Sequence, residues 1–381
     1  MRLIIAGLSI VVALVLIFFT LLIIEGPVPV LVNNSGTAGF ISLPTGFKAE
    51  IFADNVPGAR SLATGDQGTI FVGTRDEGMV YALKDTNGDG YSDEQWTIAE
   101  GLFMPNGVAF RNGSLYVAEV DRILRYDDIE DRRDNPPEPV TVFSDLPLET
   151  SHGWKFIRFG PDGMLYIPVG MPCNICNTTE SIYGTIARIN PDWTGFEIYA
   201  TGIRNTVGFD WDPETGDLWF TDNGRDWLGD DLPPDELNRA PEPGMDFGFP
   251  YYYGDNIENP EYAGEDNPAG STPPVVELPA HVAPLGMRFY TGSMFPEEYN
   301  NTIFIAEHGS WNRETPIGYQ IVTVRQGDEN PEAVSFATGF LDSSGEVKGR
   351  PVDVEVLPDG SMLVSDDYAG KIYRISYDET G

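Results

Sequence analysis

The chain has 381 residues, 59 acidic against 23 basic, giving a formal charge of −36, with only three histidines and two cysteines. That excess excludes nucleic acid as a partner, because a phosphate backbone is met by clustered Lys and Arg. The basic residues are mostly Arg, with Lys at five positions, and the acidic balance suits a salt-rich habitat in which a highly charged surface stays soluble.

The first element in chain order is "MRLIIAGLSIVVALVLIFFTLLIIEG". Arg2 precedes an apolar run from Leu3 to Ile24, long enough to cross a hydrocarbon core of about 30 Å. The run is too long for a typical signal-peptide apolar region and lacks a small-residue cleavage site. Residues 1–25 are therefore predicted to form a single N-terminal transmembrane helix, with a cleaved signal as the alternative. Arg2 on the short side, with no basic cluster after Ile24, orients the remaining chain outside the cytoplasm. The expected location is the cell membrane, single-pass, reached through this helix. Residues 26–42 then read as an extended linker.

From residue 43 to residue 378 a unit repeats: a Gly- or Asn-containing turn followed by a short apolar strand. The copies are "GDQGTIFVGT", "FRNGSLYVAEV", "FGPDGMLYIPVG", "PETGDLWFTDNG", "EYNNTIFIAEHG" and "LPDGSMLVSDD", with strands beginning near Ile70, Leu115, Leu165, Leu218, Ile303 and Leu363. Several are followed by a second apolar strand, such as "MVYAL", "GTIARI" or "KIYRIS", which makes a hairpin. No segment after the anchor has helical apolar spacing. The predicted fold is all-β, a six-bladed β-propeller, with a β-sandwich as the alternative. "GFKAEIFADNV" is a candidate to close the ring against the last blade, and the wide gap before Ile303 implies an insertion within Pro233–Pro279.

Two local signals stand apart from the repeat. "DTNGDGYSDE" places Asp85, Asn87, Asp89 and Asp93 at alternating positions, with Gly90 at the turn and the Tyr91 carbonyl available, which is the first part of an EF-hand-type calcium loop. Trp96 stands where the twelfth-position Glu belongs, so the expectation is a calcium-stabilised turn, with an ordinary Asx-rich turn as the alternative. Cys173 and Cys176 are expected to form a disulfide, since two thiolates are too few for structural zinc and no His follows Cys176 for haem attachment. Asn112, Asn177 and Asn300 head sequons compatible with export.

Propeller loops converge on the central channel. The segments that reach it include "HGWKFIRFGPDGMLYIPVG", "GIRNTVGFDWDPETGDLWFTDNG", "DELNR", "APLGMRFYTGSMFPEEY", "IFIAEHGSWNR" and "GRPVDVEVLPDGSMLVSDD". As an ordered set over Leu43 to Ser376 they resemble the soluble glucose/sorbosone dehydrogenases, six-bladed enzymes that use pyrroloquinoline quinone (PQQ). The resemblance implies oxidation of an aldose or related sugar aldehyde outside the cytoplasm, with PQQ and calcium as cofactors, a small sugar as substrate and an external electron acceptor. It implies His152 as general base on the anomeric hydroxyl, a role an imidazole titrating near neutrality can fill. Arg204 and Asn205 match the pair over the quinone, where a guanidinium would stabilise developing negative charge.

Asp235 matches the acidic partner that orients the catalytic histidine, and Arg350 matches a PQQ-binding arginine. Arg313 and His308 are placed at the cofactor by their blade, and the backbone at Gly224 and Arg225 aligns with the calcium ligands beside PQQ. No equivalent of the family's cofactor-lining Lys is found. His281 reads as an ordinary loop residue. Two rival functions use the same fold: a calcium-dependent lactonase, with Asp222 and Asn223 as metal ligands, and a non-catalytic binding propeller.

Overall fold

The second strand of each repeat is apolar on both faces because both faces are covered. Leu165–Val169, Leu218–Asp222, Ile303–Glu307 and Met362–Asp366 are buried along their whole lengths. Such strands read as continuous apolar runs rather than alternations. The structure, a computed structural model, describes residues 30–31, 38–178, 180–265, 267 and 269–379. The predicted membrane helix lies outside the described residues, and among those described no helix is long and apolar enough to cross a membrane.

Six sheets form the blades, antiparallel throughout except that Met245–Asp246 adds in parallel to Glu197–Thr201 at the outer edge of the third. Their innermost strands are Leu62–Thr64, Gly107–Arg111, Arg158–Phe159, Phe209–Trp211, Pro284–Phe289 and Pro351–Val356. Each apolar cluster between blades draws on two neighbours. Phe71 and Trp96 of the first blade pack with Leu115 and Tyr126 of the second, and Phe304 and Phe336 of the fifth pack with Tyr373 of the sixth. The ring closes where Phe52 and Leu363 of the sixth blade meet Leu62 and Tyr81 of the first.

The closing strand is Phe47–Ala53, antiparallel to Lys371–Tyr377 with Phe47 opposite Tyr377. The last blade is therefore built from both ends of the propeller, a closure that leaves no open gap in the ring. Two features differ from the expected boundaries. Two stretches of the predicted linker are tied to the body: the backbone of Val30–Leu31 pairs with the outer strand of the first blade, and the Ala38 amide donates to the Ala49 carbonyl. The region expected as an insertion also contains two strands of the fourth blade, Asp235–Ala240 and Val276–Leu278. The extra chain is residues 241–275, which includes a hairpin of Tyr252–Tyr253 with Ile257–Glu258.

One half of the axial channel is occupied by charge. Arg288 is buried against Asp353 at 3.5 Å and Glu355 at 3.1 Å, and Arg158 reaches Asp210 and Glu355. The other half holds the candidate site.

Candidate active site

His152 sits in a turn ahead of the third blade in the left-handed region, φ +50°. Its Nδ1 lies 2.8 Å from the Met171 carbonyl. A carbonyl can only accept, so Nδ1 carries the proton of the neutral ring and Nε2 keeps its lone pair. Gly170 is what lets the ring sit here: a Cβ there would meet the His152 Cβ at 2.6 Å and Asn205 Oδ1 at 3.1 Å. Burial, and then the Arg204 charge, push the His152 pKa down to about 4. Its proton-accepting form is therefore present above about pH 4 and lost as pH falls through that value. The three histidine rings can be followed by NMR, and the His152 ring of the unliganded chain is expected to titrate at about 4, well below an ordinary imidazole. A midpoint near 6.5 would contradict this account of its burial.

Arg204 and Asn205 are turned toward the axis by Asp222, at the end of its strand. Asp222 accepts from the two backbone amides at 2.9 and 2.6 Å. It therefore shapes the Arg-Asn turn, and the metal-ligand role considered for it in a lactonase is not what its oxygens do. The Arg204 guanidinium donates to the Asn174 carbonyl at 3.1 Å, Asn174 Oδ1 at 3.0 Å, the Asn223 carbonyl at 3.0 Å and Asp226 Oδ2 at 3.0 Å. Asn174 lies between Cys173 and Cys176, which are bonded to each other. The disulfide loop thus clamps the channel arginine.

Asp235 is not the orienting partner of His152. Its two oxygens accept from the Gly224 amide at 2.7 Å and the Ala283 amide at 2.9 Å. Burial pushes its pKa up to about 7, against those hydrogen bonds. A buried carboxylate takes the nearest amides, and here they belong to two loops of the cavity wall. The imidazole is oriented by a backbone carbonyl instead.

Together these loops enclose a cavity of about 300 Å³ lined by His152, Arg204, Asn205, Gly224, Asp235, His308 and Arg350. With Asn223, which also lines it, eight of the residues anticipated from sequence meet in one place. Arg313 does not join them, drawn away by Asp231 and the Asp230 and Ala280 carbonyls; Arg225, expected to contribute its backbone, turns its side chain to Asn259 and Glu261. Both are absent from the lining. His281, expected as an ordinary loop residue, lines the cavity, so all three histidines face it.

Sequence reasoning missed Arg60, Arg75, Trp154, Asp226 and Asn312, which also line it. Arg60 and His308 share one carboxylate, Asp367, at 2.5 and 2.8 Å. Burial alone would raise the Asp367 carboxyl, but His308 and Arg60 hold it well below the usual range. Arg75 lies over the Trp154 ring, 4.9 Å from its centroid. A signal existed for Arg75: it follows the strand Ile70–Gly73 as His308 follows Ile303–Glu307.

The cavity's electrostatics are opposite to those of the chain. Four guanidiniums line it, and among the described residues Arg350 has no carboxylate within ion-pair distance, its Nε and Nη2 donating to the His308 and Gly309 carbonyls. Two buried polar atoms of lining residues lack partners, Trp154 Nε1 and Asn312 Oδ1. A guanidinium without a carboxylate partner and buried polar atoms without hydrogen bonds are the chemistry of a site that takes an anionic ligand.

The proposed calcium loop is tied by its own backbone. Asp93 accepts from the Thr86 and Asn87 amides and from Asn87 Nδ2, while Asp85 accepts from the Asn87, Gly88 and Gly90 amides. Asn87 and Asp89 cap the Asp89 and Tyr91 amides. Among the described residues no three His, Cys, Asp or Glu side chains converge as a metal site.

Residues 40–375 match the family described as a domain of unknown function, DUF7133. An uncharacterized protein of Borreliella burgdorferi is 36% identical over 356 residues, 89% of this chain and 91% of that protein. The aldose sugar dehydrogenase YliI of Escherichia coli is 27% identical over 260 residues, 62% of this chain and 63% of the enzyme. Among solved structures, the calcium structure of a Trichoderma reesei carbohydrate-active enzyme of family AA12 has a TM-score of 0.77 at 19% identity, covering 91% of this chain and 99% of that one. The holo form of the PQQ domain of pyranose dehydrogenase from Coprinopsis cinerea has a TM-score of 0.71 at 18% identity, covering 88% and 97%. At these identities the solved structures share the propeller fold.

Proposed function

We propose that this chain, which belongs to the DUF7133 family, is a PQQ-dependent dehydrogenase that oxidises an aldose or related sugar aldehyde. The observation that carries the reading is the cavity itself: four arginines against two aspartates, Asp226 and Asp235, gathered on the axis of a chain whose net charge is −36. The names of the Escherichia coli and Coprinopsis cinerea proteins support the same reaction class.

Arg350, Arg204, Asn205 and Arg60 are the residues that would hold the cofactor's carboxylate and quinone oxygens, with Trp154 Nε1 as a further donor. When bound, PQQ would supply the two-electron acceptor for the hydride leaving C1 of the sugar. His152 Nε2 takes the proton of the C1 hydroxyl, and the Met171 carbonyl holds the ring in the tautomer that can do so. Asp235 acts as a positioning residue, fixing the Gly224 and Ala283 backbone that walls the cavity. Calcium belongs to the same proposal at the Gly224–Arg225 backbone, where peptide carbonyls would be the ligands.

Location outside the cytoplasm fits the Cys173–Cys176 disulfide, which persists in oxidising surroundings, and attachment would be through residues 1–25. The functional test is dye reduction by the purified chain with a panel of aldoses and calcium, with and without PQQ. Activity that appears only with PQQ supports the reading. Lactone hydrolysis without oxidation would replace it.

Asn174 gives a second test, because it touches Arg204 and not the reacting atoms. Asn174→Ala is expected to lower kcat by about 10- to 100-fold with a smaller change in KM, since a misplaced group costs rate before affinity. Equal loss in Thr178→Ala, in the same loop, would mean that the loop acts only structurally.

A further inference from the structure

Two of the seven tryptophans are exposed, and they touch each other at the mouth of the cavity. Trp227 is 69% and Trp311 64% exposed, their rings edge to face with centroids 5.3 Å apart. Trp311 lines the cavity, and Trp227 follows the lining residue Asp226. They come from different blades: Trp227 from the loop between Leu218–Asp222 and Asp235–Ala240, Trp311 from the loop between Ile303–Glu307 and Gln320–Val324.

Neither ring is there by default. Trp227 has φ +68°, a left-handed conformation that is unfavourable for a bulky residue and that accumulates at functional sites. The two loops are joined by Asn312 Nδ2 to Asp226 Oδ1 at 2.8 Å, Arg313 to Asp231 at 3.1 Å and the Glu314 amide to Asp230 Oδ2 at 3.1 Å. Asn312 Nδ2 also lies 3.4 Å from His281 Nδ1, whose Nε2 donates to the Gly229 carbonyl at 2.8 Å. The pair is therefore held in place on a braced rim.

We infer that Trp227 and Trp311 form a stacking platform for a saccharide ring beyond the one being oxidised, so that the substrate is the reducing end of an oligosaccharide. This rests on the reading of the cavity as a sugar-oxidising site and names its substrate class. An exposed indole face matches the C–H face of a pyranose, the second ring stands nearly perpendicular to it as a side wall, and Asp230, Asp231, Glu314 and Asn312 of the same two loops supply acceptors for the hydroxyls. A protein partner requires a larger apolar patch than two side chains offer. An anionic ligand would be repelled by the acidic rim. A cavity of about 300 Å³ is at the small end for ligand sites, so with a cofactor inside it further sugar units must lie out over the mouth, where the rings are.

The test is a fluorescence titration of the PQQ-free chain with cellotetraose and maltotetraose beside glucose, followed by the ratio of tetrasaccharide to glucose kcat/KM in the PQQ-loaded chain. Trp227→Gly is the useful variant, because glycine adopts the left-handed backbone without strain and folding is not at risk. A tetrasaccharide should shift tryptophan emission, and the variant should weaken that binding and lower the kcat/KM ratio by about 5- to 10-fold. No emission change with either tetrasaccharide, or a ratio that Trp227→Gly leaves unaltered, overturns the inference. Trp227-dependent binding without oxidation of any sugar would keep the platform and remove the dehydrogenase reading.

Discussion

His152→Ala is expected to lower kcat by about 10²- to 10⁴-fold, the contribution of a positioned general base, while PQQ affinity changes by less than about tenfold. The expectation follows from three features of the ring: its Nδ1 proton is committed to the Met171 carbonyl, Nε2 is left as the acceptor, and burial keeps the imidazole neutral well below pH 7. Added imidazole should restore part of the lost rate. Asp235→Asn should leave the His152 tautomer unchanged, because the carboxylate binds the Gly224 and Ala283 amides rather than the ring. Equal kcat in wild type and His152→Ala, measured with saturating PQQ and sugar, would remove the residue from the mechanism.

The second large effect is on cofactor affinity. Arg350→Ala is expected to weaken PQQ binding by about 10- to 100-fold, the range for one charge-assisted contact, as read by calorimetry. Its guanidinium is held by two carbonyls and stacked 5.2 Å from the Tyr319 ring centroid, with no carboxylate to strand when it is removed. The variant should therefore fold. Arg204 is a poorer probe, because its loss would leave Asp226 and buried Asp222 without their nearest cation, which is costly in a protein interior. Arg313→Ala is the control. Its side chain points to Asp231 and away from the cavity, so PQQ affinity should not move, and a matching loss there would show that the contact assignment is wrong.

The blades were legible because a propeller strand packs against a neighbour on each face, and "LYIPV" or "IFIAE" therefore carries apolar residues at consecutive positions. The closing strand was legible by alternation instead: in "FKAEIFA" Lys48 and Glu50 alternate with Phe47, Ala49 and Ile51. The cavity was only half visible. His152, Arg204, Asn205 and Arg350 lie at blade ends inside motifs, whereas the partners that orient them are set by loops meeting across blades. Arg60 and Asp367 are 307 positions apart, and nothing local to either announces the other. Asn174 could be read as a residue inside a disulfide loop, but not as the brace of an arginine 30 positions on.

Asp235 misled because its motif was right and its partner was not: a carboxylate buried among amides bonds to those amides. Arg313 misled in a second way. It follows the cavity-lining loop residue Asn312, and exposed Asp231 draws its long side chain away from the cavity. The Asx-rich turn at Asp85–Asp93 shows the same economy, since the side chains spaced for a cation also cap the amides of the turn itself.

The most direct test of the central claim is anaerobic mixing of the PQQ-loaded chain with excess aldose while the cofactor's absorbance is followed. The account predicts that the oxidised cofactor spectrum is lost in the wild type at a rate that falls by about 10²-fold or more in His152→Ala. A chain that binds no PQQ, or whose bound PQQ keeps its oxidised spectrum with every aldose and oligosaccharide, would contradict it.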